Sequence, residues 1–181
     1  MIKRGFDIFF SFLGLIILGL PLIIIWIALS LDTNSNGIFF QKRIGQFGKP
    51  FVIYKFKTVH PKTRKISKTG RFLRKFKLDE LPQLINVLKG NMSFVGPRPD
   101  VPGYYDKLEG EERNILNLKP GITSEASIKY RNEEAILKQK SNPLKFNDEV
   151  IFPDKVKMNL NYYYNRTFFG DIKIILKTFI K

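Results

Sequence analysis

From Ile8 to Leu31 the chain carries no charged residue, and the rest of it is strongly basic. At about 1.5 Å per residue, a helix of that length reaches the ~30 Å of a bilayer's hydrocarbon core, so one straight crossing is allowed. The flanking charges point elsewhere. Lys3 and Arg4 precede the run, and Lys42, Arg43, Lys49, Lys55 and Lys57 come after it. Positive charge beside a membrane segment favours the cytoplasmic side, so both ends prefer the same face. Pro21 stands in the middle, where it removes one backbone donor and crowds the preceding turn, and Gly19 loosens the stretch further. Residues 1–34 are therefore expected to form a re-entrant membrane hairpin, helix-break-helix, whose main cost is the freed carbonyls at the break. An ordinary single-pass anchor with a tolerated proline is the alternative. A cleaved signal peptide fits less well, because the apolar core is long and no small-residue cleavage site comes after it.

The remainder, residues 35–181, has the length of one modest domain with a single core. With 31 Lys and Arg against 16 Asp and Glu, the formal net charge is +15, which calls for an anionic partner or surface. Nucleic acid, acidic headgroups and phosphorylated small substrates share that sign; the membrane segment favours the last two. The absence of cysteine excludes disulfides, thiolate metal sites and a cysteine nucleophile, and suits a cytoplasm-facing location. His60, the one histidine, precedes Pro61 in a loop-like stretch and cannot serve as both a catalytic base and its own orienting partner. Chemistry then falls to carboxylates, lysines, arginines or hydroxyls. Neither a GxGxxG fingerprint nor a Walker-type phosphate loop is present.

Along the chain, Ile38–Gln41 and Phe51–Phe56 read as short strands. Their connection, from Arg43 to Pro50, carries two glycines and a proline, and its cations face either a phosphate or only solvent. Gly70–Lys77 reads as a helix with Phe72, Leu73 and Phe76 among Arg71, Arg74, Lys75 and Lys77, a pattern of either a headgroup-layer segment or a core-packed helix. Leu81, Leu84, Ile85 and Leu88 then recur on one helix face, closed by Gly90. Because proline is tolerated only in a helix's first turn, Pro82 places the start near Asp79, which becomes the expected N-cap with Glu80 beside it. That end attracts phosphate and keeps a carboxylate ionised, although Asp79 as a plain cap and Glu80 as a solvated acid explain the same letters. Arg98, between Pro97 and Pro99, has its backbone confined to extended conformations, so its planar fork is aimed. Beyond it come an expected helix over Tyr105–Leu118, a turn at Lys119-Pro120-Gly121 and a charged helix near Asn132–Gln139. Finally, Phe168, Phe169, Ile172, Ile175, Leu176 and Phe179 share a helical face with Lys173, Lys177 and Lys181 off it, a second face for membrane surface or core. The expected fold class is α/β, mainly α with a small sheet, with a compact surface-lying domain after the membrane hairpin.

Several longer stretches carry a resemblance. They are Lys3-Arg4-Gly5-Phe6-Asp7, Ile38 to Gly45, Ile53 to Thr58, Gly70 to Lys75, Leu78 to Leu84, Asn86 to Gly90, Ser93 to Pro99 and Lys119 to Thr123. In order and spacing they resemble the monotopic phosphoglycosyl transferases, bacterial sugar transferases that begin surface-glycan assembly on a lipid carrier. The resemblance implies transfer of a phosphosugar from a nucleoside diphosphate sugar, a UDP-sugar in the first instance, to polyprenyl (undecaprenyl) phosphate. It also implies release of a nucleoside monophosphate, a requirement for Mg2+, and a domain on the cytoplasmic face of the bacterial inner membrane. By the same resemblance Asp79 is the nucleophile that forms a covalent aspartyl phosphosugar. Glu80 assists either the metal or the proton of the incoming lipid phosphate, and Asp79 and Glu80 are the metal-ligand candidates. Lys55, Arg74 and Arg98 are candidates for neutralising phosphate charge, with Arg43 in the strand connection, and Asp171 stands in the matching C-terminal position. A basic, metal-assisted pocket is what lets a carboxylate attack a diphosphate against like charge.

The chain departs from the family pattern at Leu20, where a serine precedes the proline, and at Ser124-Glu125-Ala126-Ser127-Ile128 and Lys129-Tyr130-Arg131-Asn132. The first bears on how sharply the helix breaks at Pro21, the other two on the sugar more than on the reaction. Two rival readings stand beside it: a non-enzymatic basic membrane adaptor binding anionic lipid or nucleic acid, and a Mg2+-dependent polyprenyl diphosphate hydrolase.

Overall fold

The apolar run becomes one helix in the computed structural model, which describes residues 2–180. Helix α1 (Ile2–Thr33) is followed by strands β1 (Ile38–Ile44) and β2 (Pro50–Phe56), which pair, then α2 (Lys68–Lys75), a 3-10 turn at Leu78–Gln83 and α3 (Leu84–Lys89). The two helices expected on either side of a break at Pro21 appear as one, with the proline inside. A proline removes a single i to i−4 bond, and a helix with a sufficiently long apolar span on both sides carries on through that loss.

Along α1 the residues that leave solvent follow the helical repeat. Asp7, Ser11, Leu15, Leu18, Leu22, Ile25, Leu29 and Thr33 are buried or half-buried, while Pro21 lies off this stripe on the exposed side. Phe9, Phe12, Ile16, Ile17, Leu20 and Ile24 cover that side with apolar surface, far more than a water-facing helix carries. Leu29, Phe56 and Leu73 form a core to which Leu22, Ile25, Ile38 and Leu78 are added, so α1 supplies the centre of the unit rather than an appendage to it. Gly14 faces Leu84, where an added Cβ would come within 3.2 Å of the leucine's Cδ1. At the start of α1, Arg4 donates from Nη1 to the Val87 carbonyl at 2.7 Å and from Nη2 to the Leu88 carbonyl at 2.9 Å. These are among the last carbonyls of α3, where intrahelical partners run out; that of Val87 also accepts from the Gly90 amide at 3.0 Å. Replacing Arg4 with alanine is expected to cost about 2 kcal/mol, read as a lower denaturation midpoint in detergent micelles. At the other end, the exposed Asp32 carboxylate accepts from the Thr69 amide at 3.3 Å, and the Ser67 hydroxyl holds its pKa below the usual carboxylate range.

The chain divides into two compact units: residues up to Arg43 with Pro50–Met92, built around α1, and Ile44–Lys49 with Ser93 onward. In the second unit β3 (Ser93–Val95) pairs in parallel with β4 (Gly121–Thr123), Ser93 opposite Gly121 and Val95 opposite Thr123. The small sheet is thus two separate pairs. A side chain at Gly96 would strike the Lys119 carbonyl, and one at Gly121 would strike the Gly96 backbone, so both positions admit only glycine. Helices α4 (Glu125–Lys129), α5 (Glu133–Lys138), α6 (Pro143–Phe146), α7 (Phe152–Asn165) and α8 (Phe168–Phe179) complete the chain. The helix expected over Tyr105–Leu118 is instead two 3-10 segments, Tyr105–Lys107 and Gly110–Asn117. Gly110, the first residue of the second segment, stands at φ 54, a conformation that interrupts regular helix. The core here is Ile44, Tyr105, Leu108, Ile115, Leu116 and Val156, with Phe152 and Leu160 of α7 against it.

Candidate active site

The stretch from α2 to α3 sets the site. Ser67 caps α2 by accepting from the Gly70 amide at 2.9 Å, and Leu73 enters the core beside Leu29 and Phe56. Phe72 and Phe76 stay exposed with ring centroids 5.0 Å apart, so of the three apolar residues read on this segment only Leu73 packs in the core. The chain then reverses at Lys77, in the left-handed conformation at φ 57, and the 3-10 turn carrying Asp79 and Glu80 begins. Asp79 is therefore not the N-cap anticipated for it. Lys77 holds that position, no side chain caps the turn, and the α-helix starts five residues after Asp79, at Leu84. The proline that was expected to mark the first turn of α3 sits inside the 3-10 turn instead. This geometry frees the Asp79 carboxylate from a capping bond.

Glu80 is 8% exposed, and its Oε1 accepts from Lys55 Nζ of β2 at 2.9 Å. Asp79 is half-buried, and its Oδ1 is buried without a hydrogen-bond partner. A buried carboxylate oxygen normally finds a donor, and leaving one orphaned is costly unless something else is to occupy it. Burial raises the Asp79 pKa above the ordinary carboxylate range, and the Glu80 charge adds to the rise, while Lys55 opposes it. The result is one carboxylate paired with a lysine beside a second that keeps its lone pairs, two neighbouring acids with different duties.

Register between β2 and this turn depends on Asn86 in α3, which is fully buried. Its Oδ1 accepts from the Tyr54 amide at 3.1 Å, and its Nδ2 donates to the Val52 carbonyl at 2.7 Å. Both groups belong to the strand that carries Lys55. Asn86→Ala is expected to destabilise by about 2 kcal/mol, because two part-buried backbone groups of β2 lose their partners. Chemical denaturation midpoints would register it. Sequence reading missed Asn86 as a positioning residue: it sits among apolar neighbours with no periodic signal, and only its place at the head of the family-like Asn86 to Gly90 stretch pointed to it.

Comparison with known proteins shows the family. The bacterial sugar transferase family matches residues 1–181, the whole chain. The chain belongs to this family. Among its relatives is the uncharacterized sugar transferase EpsL of Bacillus subtilis, 35% identical over 188 residues that cover 98% of this chain and 85% of that protein. UDP-glucose:undecaprenyl-phosphate glucose-1-phosphate transferase of Escherichia coli is 33% identical, covering 100% of this chain and 40% of its own length. Undecaprenyl-phosphate galactose phosphotransferase of Salmonella typhimurium is 31% identical over 98% of this chain and 39% of its own length. These names place the family among the phosphoglycosyl transferases.

The remaining candidate residues of this sugar transferase fall in several places. The structure brings Asp79, Glu80 and Lys55 together. Arg74 is half-buried in the last turn of α2, and its carbonyl accepts from the Lys77 amide at 3.2 Å, just before the turn. Arg43 donates from Nε and Nη2 to Gln41 Oε1 on its own strand, at 3.2 and 2.8 Å. Arg98 and Asp171 belong to the second unit. Arg98 lines, with its two prolines, Ile44 and Tyr105, a cavity of about 20 Å³, too small for a substrate group. Asp171 is buried in α8 and accepts from the Tyr162 hydroxyl at 2.5 Å. His60 closes a loop by accepting from the Lys62 and Thr63 amides, both at 3.2 Å, a structural role. Among the described residues no three acidic or imidazole groups gather. Asp79 and Glu80 nevertheless fit Mg2+, a hard cation that takes one or two carboxylates and completes its shell with water and substrate phosphates.

Proposed function

We propose that this protein transfers a phosphosugar from a nucleoside diphosphate sugar, such as a UDP-sugar, to polyprenyl phosphate on the cytoplasmic face of the bacterial inner membrane. The orphaned, buried Oδ1 of Asp79 carries the reading. That oxygen attacks the phosphorus bearing the sugar, the phosphoanhydride bond breaks, and nucleoside monophosphate leaves with the electron pair. An aspartyl phosphosugar remains. The phosphate oxygen of the polyprenyl carrier then attacks the same phosphorus, and the Asp79 carboxylate departs, giving a polyprenyl diphosphosugar. Covalent capture lets a soluble donor and a lipid acceptor use one site in turn.

Lys55 pairs with Glu80 beside Asp79, and Asp79 and Glu80 are the residues that would hold Mg2+. When bound, the cation offsets the diphosphate's negative charge. The raised pKa of Asp79 makes its anion a stronger base and nucleophile than a solvated carboxylate. Relatives named for undecaprenyl phosphate and UDP-glucose support both substrate classes. Contact along the whole length of α1 with one unit supports a same-face arrangement, because a perpendicular crossing would pull that unit into hydrocarbon.

The purified protein, given a panel of nucleotide sugars with undecaprenyl phosphate and Mg2+, is expected to release nucleoside monophosphate with one or a few of them. Release from none of them, or liberation of inorganic phosphate from polyprenyl diphosphate without any nucleotide sugar, would refute the assignment. Cysteines placed at Ile2 and Asn36 are expected to label from the same side of sealed vesicles; opposite labelling refutes the same-face arrangement.

A further inference from the structure

In the second unit, α7 and α8 with Glu125 of α4 enclose a cleft of about 340 Å³ that the proposed transfer reaction leaves unused. Its wall carries three cations, Arg166, Lys173 and Lys177, against one acid, Glu125, which accepts from Lys177 Nζ at 3.0 Å. Arg166 lies 5.6 Å from the centroid of the Tyr163 ring. Among the described residues no carboxylate pairs with Arg166 or Lys173. Tyr162, also on the wall, has its hydroxyl committed to the buried Asp171.

The surroundings of the cleft indicate its occupant. Residues on a helix succeed one another at about 100°, so Gly170, Lys173, Ile174 and Lys177 of α8 share the face that lines it. Phe169, Leu176 and Phe179 occupy the neighbouring face, at 83%, 58% and 81% exposure. Lys173 stands at the border between the two, and Lys177 lies within the cleft face. Apolar stripe, cationic edge and polar cleft therefore succeed one another in the order in which a bilayer presents acyl chains, phosphates and water. The start of α8, capped by Thr167 on the cleft wall, adds its partial positive charge on the same side.

We propose that this cleft binds the phosphate of an anionic membrane lipid, its acyl chains lying along the Phe169–Leu176–Phe179 face. The inference is independent of Asp79 and of the transfer reaction.

The test uses the full chain in neutral detergent micelles, titrated with dihexanoyl phosphatidylglycerol below its own micelle concentration, with dihexanoyl phosphatidylcholine and inorganic phosphate as the other arms. Phosphatidylglycerol is expected to bind at least about tenfold more tightly than either. Arg166→Gln with Lys173→Gln is expected to weaken it about thirtyfold, near fivefold for each cation removed. Arg166→Lys with Lys173→Arg is expected to retain it. The neutralised variant is also expected to keep the wild-type rate of nucleotide release, which separates this result from the fate of the proposed reaction. Equal affinity for the zwitterionic lipid, or wild-type binding by the neutralised variant, would overturn the proposal, and so would phosphate binding as tightly as the lipid. If the double variant fails to fold, Lys173→Gln alone at its exposed position carries the same comparison at about fivefold.

Discussion

Asp79→Asn is expected to abolish turnover, by at least about 10⁴-fold in kcat, while leaving the protein folded and membrane-bound. Asparagine keeps the shape of the side chain but supplies no anionic oxygen to attack phosphorus. Stability should move the other way. The Asp79 pKa is raised by burial and by Glu80, so the folded state binds that proton more tightly than the unfolded chain does. Wild-type stability from this group accordingly falls as pH rises from the ordinary carboxylate range through the raised folded value, and stays level above it. At neutral pH the variant is then expected to be as stable as the wild type or more so, with less of that decline. Nucleoside monophosphate release and thermal unfolding in detergent across pH measure the two halves. Residual turnover within about tenfold of wild type would remove Asp79 from the nucleophile's place. A large loss of stability would mean that its role is structural.

The second large effect is expected at Lys55. Its side chain is 16% exposed and that of Glu80 9%, so the pair is nearly out of water. Lys55→Met leaves the glutamate carboxylate buried and uncompensated, at a cost of about 3–5 kcal/mol. The double variant Lys55→Met with Glu80→Gln is expected to recover most of that stability, since the stranded charge is gone, without recovering activity. Denaturation midpoints of the two single variants and the double variant form a cycle. Additive losses would show that the two side chains act separately and would dismiss the pair as the support of Asp79.

Features with a local cause were readable from the sequence, and features with a remote one were not. Helix α8 was legible because its apolar residues repeat on one face, and the fold proved mainly helical with little sheet, as composition and pattern implied. The roles given to Asp79 and Glu80 came from the resemblance carried by Leu78 to Leu84, and the geometry around them was not legible. Asp79 was read as an N-cap from the position of Pro82; the left-handed backbone at Lys77 moved the cap two residues earlier and made the segment a 3-10 turn. The Lys55–Glu80 pair joins residues 25 apart on different elements, which no periodicity announces. Strands β3 and β4 are three residues each, and their parallel pairing rests on the close approach of Gly96 and Gly121. A buried asparagine such as Asn86 gives the same letter pattern as an exposed one. At Pro21 the local signal was strong, yet the helix continued through it.

Leu29, at the far end of the lipid-compatible helix, is wholly enclosed and meets Phe56 and Leu73 at the centre of the unit that bears Asp79. Trimming away this N-terminal segment to obtain a water-soluble form would therefore hollow out that unit itself. Solubilisation has to come from recoating the greasy outer side of the segment, not from deleting it.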